Sequence, residues 1–143
     1  MIVYLDTSSL VKFYIAEEHS VAVTDWIAAA QLHATSRVTL PEAAAALARR
    51  QRSGSITPDE CTRALADIKD DWPRFAVVDL DEARAADLAV RYGLRGFEAV
   101  QLAAAVAVRQ EVDEAESLVF SSFDSALNDA ARAEGLAVIK PRA

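Results

Sequence analysis

Ile2-Val3-Tyr4-Leu5-Asp6-Thr7-Ser8-Ser9-Leu10-Val11-Lys12 opens the chain. Its first four residues form a continuous apolar run, the pattern of a strand covered on both faces. An acid follows at once, and helical spacing then runs from Ser8 to about Glu18. This succession of covered strand, polar corner and helix repeats along the sequence. A second helix is expected from Ser20 to Leu32, then a short extended segment at His33-Ala34-Thr35-Ser36, then a helix from near Pro41 that ends by Gly54. Thr57-Pro58-Asp59-Glu60 has the form of a capping box with proline at the first helical position. Cys61, Leu65, Ile68 and Trp72 share one face of the helix it starts, so Cys61 is expected in the core rather than as a nucleophile.

The second half continues the pattern. Phe75-Ala76-Val77-Val78 is expected as a strand, and Asp81 caps a helix that closes at Gly93. Phe97 to Gln110 is apolar nearly all round and is expected as a buried helix. Leu118-Val119-Phe120 is another covered strand, Ser125 to Glu134 a helix ending at Gly135, and Ala137-Val138-Ile139 the last strand. Strands with two covered faces, alternating with helices, predict an α/β fold. It has three layers, α/β/α, around a central parallel sheet of about five strands. In such sheets the functional site lies beyond the carboxyl ends of the strands, where strand order reverses.

Length and composition narrow the function. At 143 residues, with no linker or repeat, one domain spanning 1–143 is expected. Thirty alanines supply much of the 52% apolar content, which favours closely packed helices over a large greasy core. The single cysteine excludes an internal disulfide and fits a cytoplasmic location. The longest strongly apolar run, Leu102 to Val108, is far short of the ~20 residues of a membrane span. The start of the chain has no basic segment ahead of Asp6, so no signal peptide is expected. Fifteen bases against twenty-two acids give a net charge of −7, which argues against holding nucleic acid by bulk charge. Twelve of those bases are arginine, and Arg49-Arg50-Gln51-Arg52 is the densest basic stretch.

Four acids stand at strand ends and helix starts. Asp6 follows the first strand, Asp124 lies just past Phe120, Glu42 opens the helix after Ser36, and Glu98 opens the buried helix. Singly, each fits an N-cap or a first-turn acid. Together they are expected at one crevice, where repelling carboxylates are relieved by protons or cations. Oxygen ligands without His or Cys companions suit Mg2+ or Mn2+ better than zinc. Thr7, Ser8 and Ser122 place hydroxyls beside these acids.

Four stretches carry a family resemblance in the same order. They are Val3-Tyr4-Leu5-Asp6-Thr7-Ser8-Ser9-Leu10-Val11-Lys12, Leu40-Pro41-Glu42-Ala43, Leu94-Arg95-Gly96-Phe97-Glu98-Ala99-Val100-Gln101-Leu102-Ala103 and Phe120-Ser121-Ser122-Phe123-Asp124-Ser125-Ala126-Leu127. The chain resembles PIN-domain ribonucleases, above all the VapC-type toxins of VapBC toxin–antitoxin systems. The resemblance spans essentially the whole sequence. It implies a metal-dependent endoribonuclease with Asp6, Glu42, Glu98 and Asp124 as catalytic residues. Of these, Asp6, Glu98 and Asp124 would bind Mg2+ or Mn2+, and Thr7, Ser8 and Ser122 would support them. It also implies RNA as substrate, a VapB-type antitoxin as partner and a homodimer. One position departs from the pattern: the third acid is usually aspartate and here is Glu98.

Three alternatives stand beside this. A PIN fold kept only as a binding module is suggested by Glu98. A phosphoacceptor receiver domain would use Asp79 and Lys140, although the first strand lacks a following acid pair and too few residues follow Lys140 for a closing helix. A metal-free ribonuclease would need His19 and His33 as an acid–base pair, and they share no motif.

Overall fold

Parity divides the first strand. In the computed structural model, which describes residues 1–142, all four side chains of β1 (Ile2–Leu5) are buried. Ile2 and Tyr4 belong to one core and Val3 and Leu5 to another, on the opposite face of the sheet. A strand wanted by two cores has no polar face, which is why the run is apolar without alternation.

Around β1, the described residues build a five-stranded parallel sheet with β2 (Leu32–Ser36), β3 (Ala76–Val78), β4 (Leu118–Ser121) and β5 (Ala137–Val138). The strand order is β3-β2-β1-β4-β5. The chain steps outward from β1 to β3, then returns to the other side of β1 for β4. Helices α1 (Thr7–Tyr14), α2 (Ser20–Ala29), α3 (Thr39–Arg52) and α4 (Pro58–Asp71) fill the outward crossovers and cover the Val3/Leu5 face. Helices α5 (Glu82–Tyr92), α6 (Gly96–Glu111) and α7 (Ser125–Ala133) cover the Ile2/Tyr4 face. Reversing the direction of travel moves right-handed crossovers to the other face, so the three layers follow from the strand order. The topology also removes the receiver alternative, whose doubly wound order is 2-1-3-4-5. Asp79 is an exposed partner of Arg37 at 2.6 Å.

Two expected helix ends move by three residues or more. The helix expected from Ser8 to Glu18 stops at Tyr14, because Ser20 Oγ donates to the Ile15 carbonyl and accepts from the Glu17 N–H, building a corner instead of another turn. The helix expected to reach Leu32 stops at Ala29, because Leu32 is drawn into register with Ile2 as the first residue of β2. Local capping signals hold where no tertiary partner competes. Thr57 Oγ1 accepts from the Glu60 N–H and Glu60 Oε1 accepts from the Thr57 N–H, closing the capping box of α4. Thr57→Ala should therefore cost about 1 kcal/mol, a fall of about 3 °C in the thermal midpoint for a chain of this size, read by calorimetry. Cys61, Trp26 and Trp72 are half-buried against the α1–α4 core.

The expected domain ends at residue 143, and Ala143 lies outside the described residues.

Candidate active site

The reversal of strand order lies between β1 and β4, and an acid follows each strand there. The Asp6 N–H donates to the Ser121 carbonyl, which ties the ends of the two strands together. Asp6 then caps α1 through its Oδ1, which accepts from the Ser9 N–H at 3.0 Å, and Asp124 caps α7 by accepting from the Leu127 N–H at 2.8 Å. The capping explanation and the site explanation of these acids therefore describe the same side chains. A cap fixes a carboxylate at the mouth of a helix, where the helix dipole favours its charge.

Asp6 is the most enclosed of the four acids, 5% exposed. Ser8 Oγ donates to Oδ1 and Ser122 Oγ to Oδ2, each at 2.7 Å. Ser8 Oγ also accepts from the Phe123 N–H, and Ser122 Oγ from the Asp124 N–H, so the hydroxyls that hold Asp6 are themselves fixed by the loop leading to Asp124. Burial dominates its proton affinity: desolvation lifts the carboxyl from 3.8 to about 6, against the lowering effect of these hydrogen bonds, with the Glu42 charge adding to the rise.

Asp6, Thr7, Ser8, Glu42, Glu98 and Asp124 all line one cleft of about 1100 Å3, with Arg49, Arg50 and Arg95 also on its walls. Ser122 sits behind it, buried under Asp6. Glu42 is anchored by Thr7 Oγ1 and by Gln101 Nε2, each donating to Oε1 at 2.8 Å. Glu98 is half-buried, and its Oε2 accepts from the Arg95 N–H at 3.0 Å. The longer side chain at this position folds back to cap its own helix. The cleft thus collects the four acids along one wall system, but it does not gather three carboxylates within coordination range. Among the described residues, no group of three or more His, Cys, Asp or Glu side chains is placed to hold a metal ion. The donor chemistry still fits a hard cation: the acids on the cleft bring only oxygen, and the most buried carries a carboxylate whose charge is poorly solvated.

The histidines do not form a pair. His33 Nε2 donates to the Ile27 carbonyl, 2.8 Å away, and His19 stacks on Phe123 with ring centres 5.3 Å apart. Arg50, on the cleft wall, is held by Glu17, which also takes Lys12.

A PIN domain model matches residues 3–133. The chain belongs to the PIN domain family. Ribonuclease VapC45 of Mycobacterium tuberculosis is 34% identical over 140 residues, covering 96% of this chain and 94% of the relative. Two solved structures share the fold. The crystal structure of PAE2754 from Pyrobaculum aerophilum has a TM-score of 0.68 at 20% identity, covering 96% of this chain and 87% of that one. That of FitAcB from Neisseria gonorrhoeae has a TM-score of 0.67 at 17% identity, covering 98% and 97%. This PIN domain also carries buried polar residues on and behind the cleft wall. Gln101, Tyr4, Thr39 and Asn128 are buried and polar or phenolic, and all lie within two hydrogen bonds of the four acids or their hydroxyls. Gln101 had a signal in the sequence, being the one polar residue between Ala99 and Val108.

Proposed function

We propose that this protein is a metal-dependent endoribonuclease toxin of a type II toxin–antitoxin pair, with residues 1–143 acting as one PIN domain in the cytoplasm. The observation that carries it is the line of Asp6, Glu42, Glu98 and Asp124 along one cleft at the carboxyl edge of the sheet. The 34% identity to a protein named a ribonuclease supports the choice of reaction. Among the described residues, no helix is long and apolar enough to cross a membrane.

Asp6, Glu98 and Asp124 would hold Mg2+ or Mn2+ once Glu98 releases the Arg95 N–H and the three carboxylates close on the ion, with Ser8 and Ser122 keeping Asp6 in place. A bound cation of this kind supplies an activated water and neutralises charge on the phosphate oxygens. Glu42, steadied by Thr7, would orient the attacking water or a second ion. Arg49 and Arg95 offer the RNA backbone local positive charge in a protein whose net charge of −7 falls to −3 once the four site acids are neutralised. Binding is therefore local and metal-assisted rather than a matter of overall charge.

The partner is a small VapB-type antitoxin. A homodimer is the working assembly, supported by the exposed apolar side chains of Leu80, Val90 and Phe97 on and beside α5 and α6.

Purified protein incubated with total cellular RNA should cut it when Mn2+ or Mg2+ is present, stop in excess EDTA and resume on re-addition of the ion. Undiminished cleavage in EDTA overturns the metal mechanism. Intact RNA under all conditions leaves the binding-module alternative that Glu98 suggests.

A further inference from the structure

Gln101 lies in α6, the helix with the most buried residues among those described, and is 3% exposed. Burying an amide without partners costs about 1–3 kcal/mol, so the partners explain its presence. The Tyr4 hydroxyl donates to Gln101 Oε1 at 2.6 Å. That leaves both protons of Nε2 for the other side, where Glu42 Oε1 lies at 2.8 Å, Thr39 Oγ1 at 3.0 Å and Thr7 Oγ1 at 3.2 Å. Thr39 is fixed in turn by the Thr35 hydroxyl at 2.7 Å, and Thr7 donates to the same Glu42 oxygen at 2.8 Å. One carboxylate oxygen of Glu42 is thus gripped by two donors, Thr7 on the cleft wall and Gln101, which is anchored in the interior of the fold.

Stability does not call for this arrangement. The Tyr4 ring already stacks on Phe120, 5.5 Å between centres and 9° from parallel, and is fully buried. A phenylalanine there and an apolar side chain at 101 would fill the same space without desolvating several polar groups, an exchange that is often neutral or favourable. What the polar version adds is direction. An amide can flip end for end, and one flipped at Gln101 would turn Oε1 toward the Glu42 carboxylate. Tyr4 holds Oε1 on the far side, so only N–H groups face Glu42. The network runs from the centre of the sheet and ends at the cleft, on Glu42 and Thr7.

We propose that Gln101 is a positioning residue that fixes the Glu42 carboxylate in a single orientation at the cleft, and that Tyr4 is the lock that orients the Gln101 amide. Its catalytic consequence rests on the ribonuclease reading above, whereas the placement of Glu42 does not.

Three variants test it: Gln101→Met, close to the same shape but without hydrogen bonds, Tyr4→Phe, which keeps the stacked ring, and the two combined. With Mn2+-dependent cleavage as the readout, Gln101→Met should lower kcat about 30-fold, leaving KM for RNA within about twofold. Tyr4→Phe should lower kcat about fivefold, and the double variant should be no slower than Gln101→Met alone, because Tyr4 acts only through Gln101. The NMR signal of the Glu42 carboxyl carbon in the metal-free protein should shift in both single variants. Multiplying losses in the double variant, or an unmoved Glu42 signal, overturns the proposal. So does a rate that falls only in step with the folded fraction measured by calorimetry. If Gln101→Met fails to fold, Tyr4→Phe alone decides through the same signal and the same kcat-against-KM split. If the wild-type protein cuts no RNA, the ribonuclease reading fails by itself, and the Glu42 signal still decides whether Gln101 positions it.

Discussion

Asp6→Asn should give a folded protein that cleaves RNA about a thousand times more slowly than the wild type, the scale of losing a preorganised electrostatic group in a desolvated site. Asparagine preserves what the fold takes from this position. Its Oδ1 can still accept from the Ser9 N–H, and asparagine caps helices about as well as aspartate. Its Nδ2 replaces the oxygen that accepts from Ser122, and that hydroxyl can turn to accept instead. What disappears is the negative charge at the point where β1 and β4 deliver their acids to the cleft. Single-turnover cleavage with Mn2+ in excess measures the loss, and circular dichroism with a thermal scan checks the fold. Activity within a few-fold of wild type would remove Asp6 from the reaction. A collapsed thermal midpoint would instead make it a structural cap and nothing more.

How much of this was legible beforehand depends on whether a signal was local or had to be supplied by a partner far along the chain. The covered strand Ile2–Leu5, the capping box at Thr57, the cap at Asp81 and the left-handed Gly93 at φ +65° each depend on a few consecutive residues, and each stands where the sequence puts it. The ends of α1 and α2 do not. Ser20 reaching back to Ile15, Glu17 recruited by Arg50 from α3, and Leu32 paired with Ile2 are decisions made by tertiary contact, and periodicity continues through them unaware. The same division runs through the site. That Asp6 and Asp124 leave neighbouring strands follows from doubly wound topology, whereas the orientation of Glu98 does not. Its extra methylene lets the carboxylate return to the Arg95 N–H, a competition between a cleft and a helix start that residue identity alone leaves open. Gln101 was visible as one polar residue in an apolar run, but its meaning needed Tyr4, 97 residues away.

The metal-free protein should lose stability as pH rises from about 4 to about 7, and the cause is again Asp6. In the unfolded chain its carboxyl has an ordinary value near 3.8, whereas in the fold burial raises it to about 6. Between those values the folded state holds a proton that the unfolded state has released, so raising the pH favours unfolding. Above about pH 7 both states are ionised and the penalty is complete. A shift of roughly two units corresponds to about 3 kcal/mol, a substantial part of the 5–15 kcal/mol that holds a typical domain together. The three donors on Asp6, from Ser8, Ser9 and Ser122, lower that penalty without cancelling it, which is the condition under which a divalent cation gains most by arriving. Urea titrations at pH 4.5 and 7.5 in EDTA should show the wild type weakening relative to Asp6→Asn, whose neutral amide has no such transition. Adding Mn2+ at pH 7.5 should restore the wild type and leave Asp6→Asn unmoved. Parallel stability curves for the two proteins across this range would mean that the Asp6 carboxylate is solvated well enough to need no cation, and the metal site would then have to be built around the other three acids.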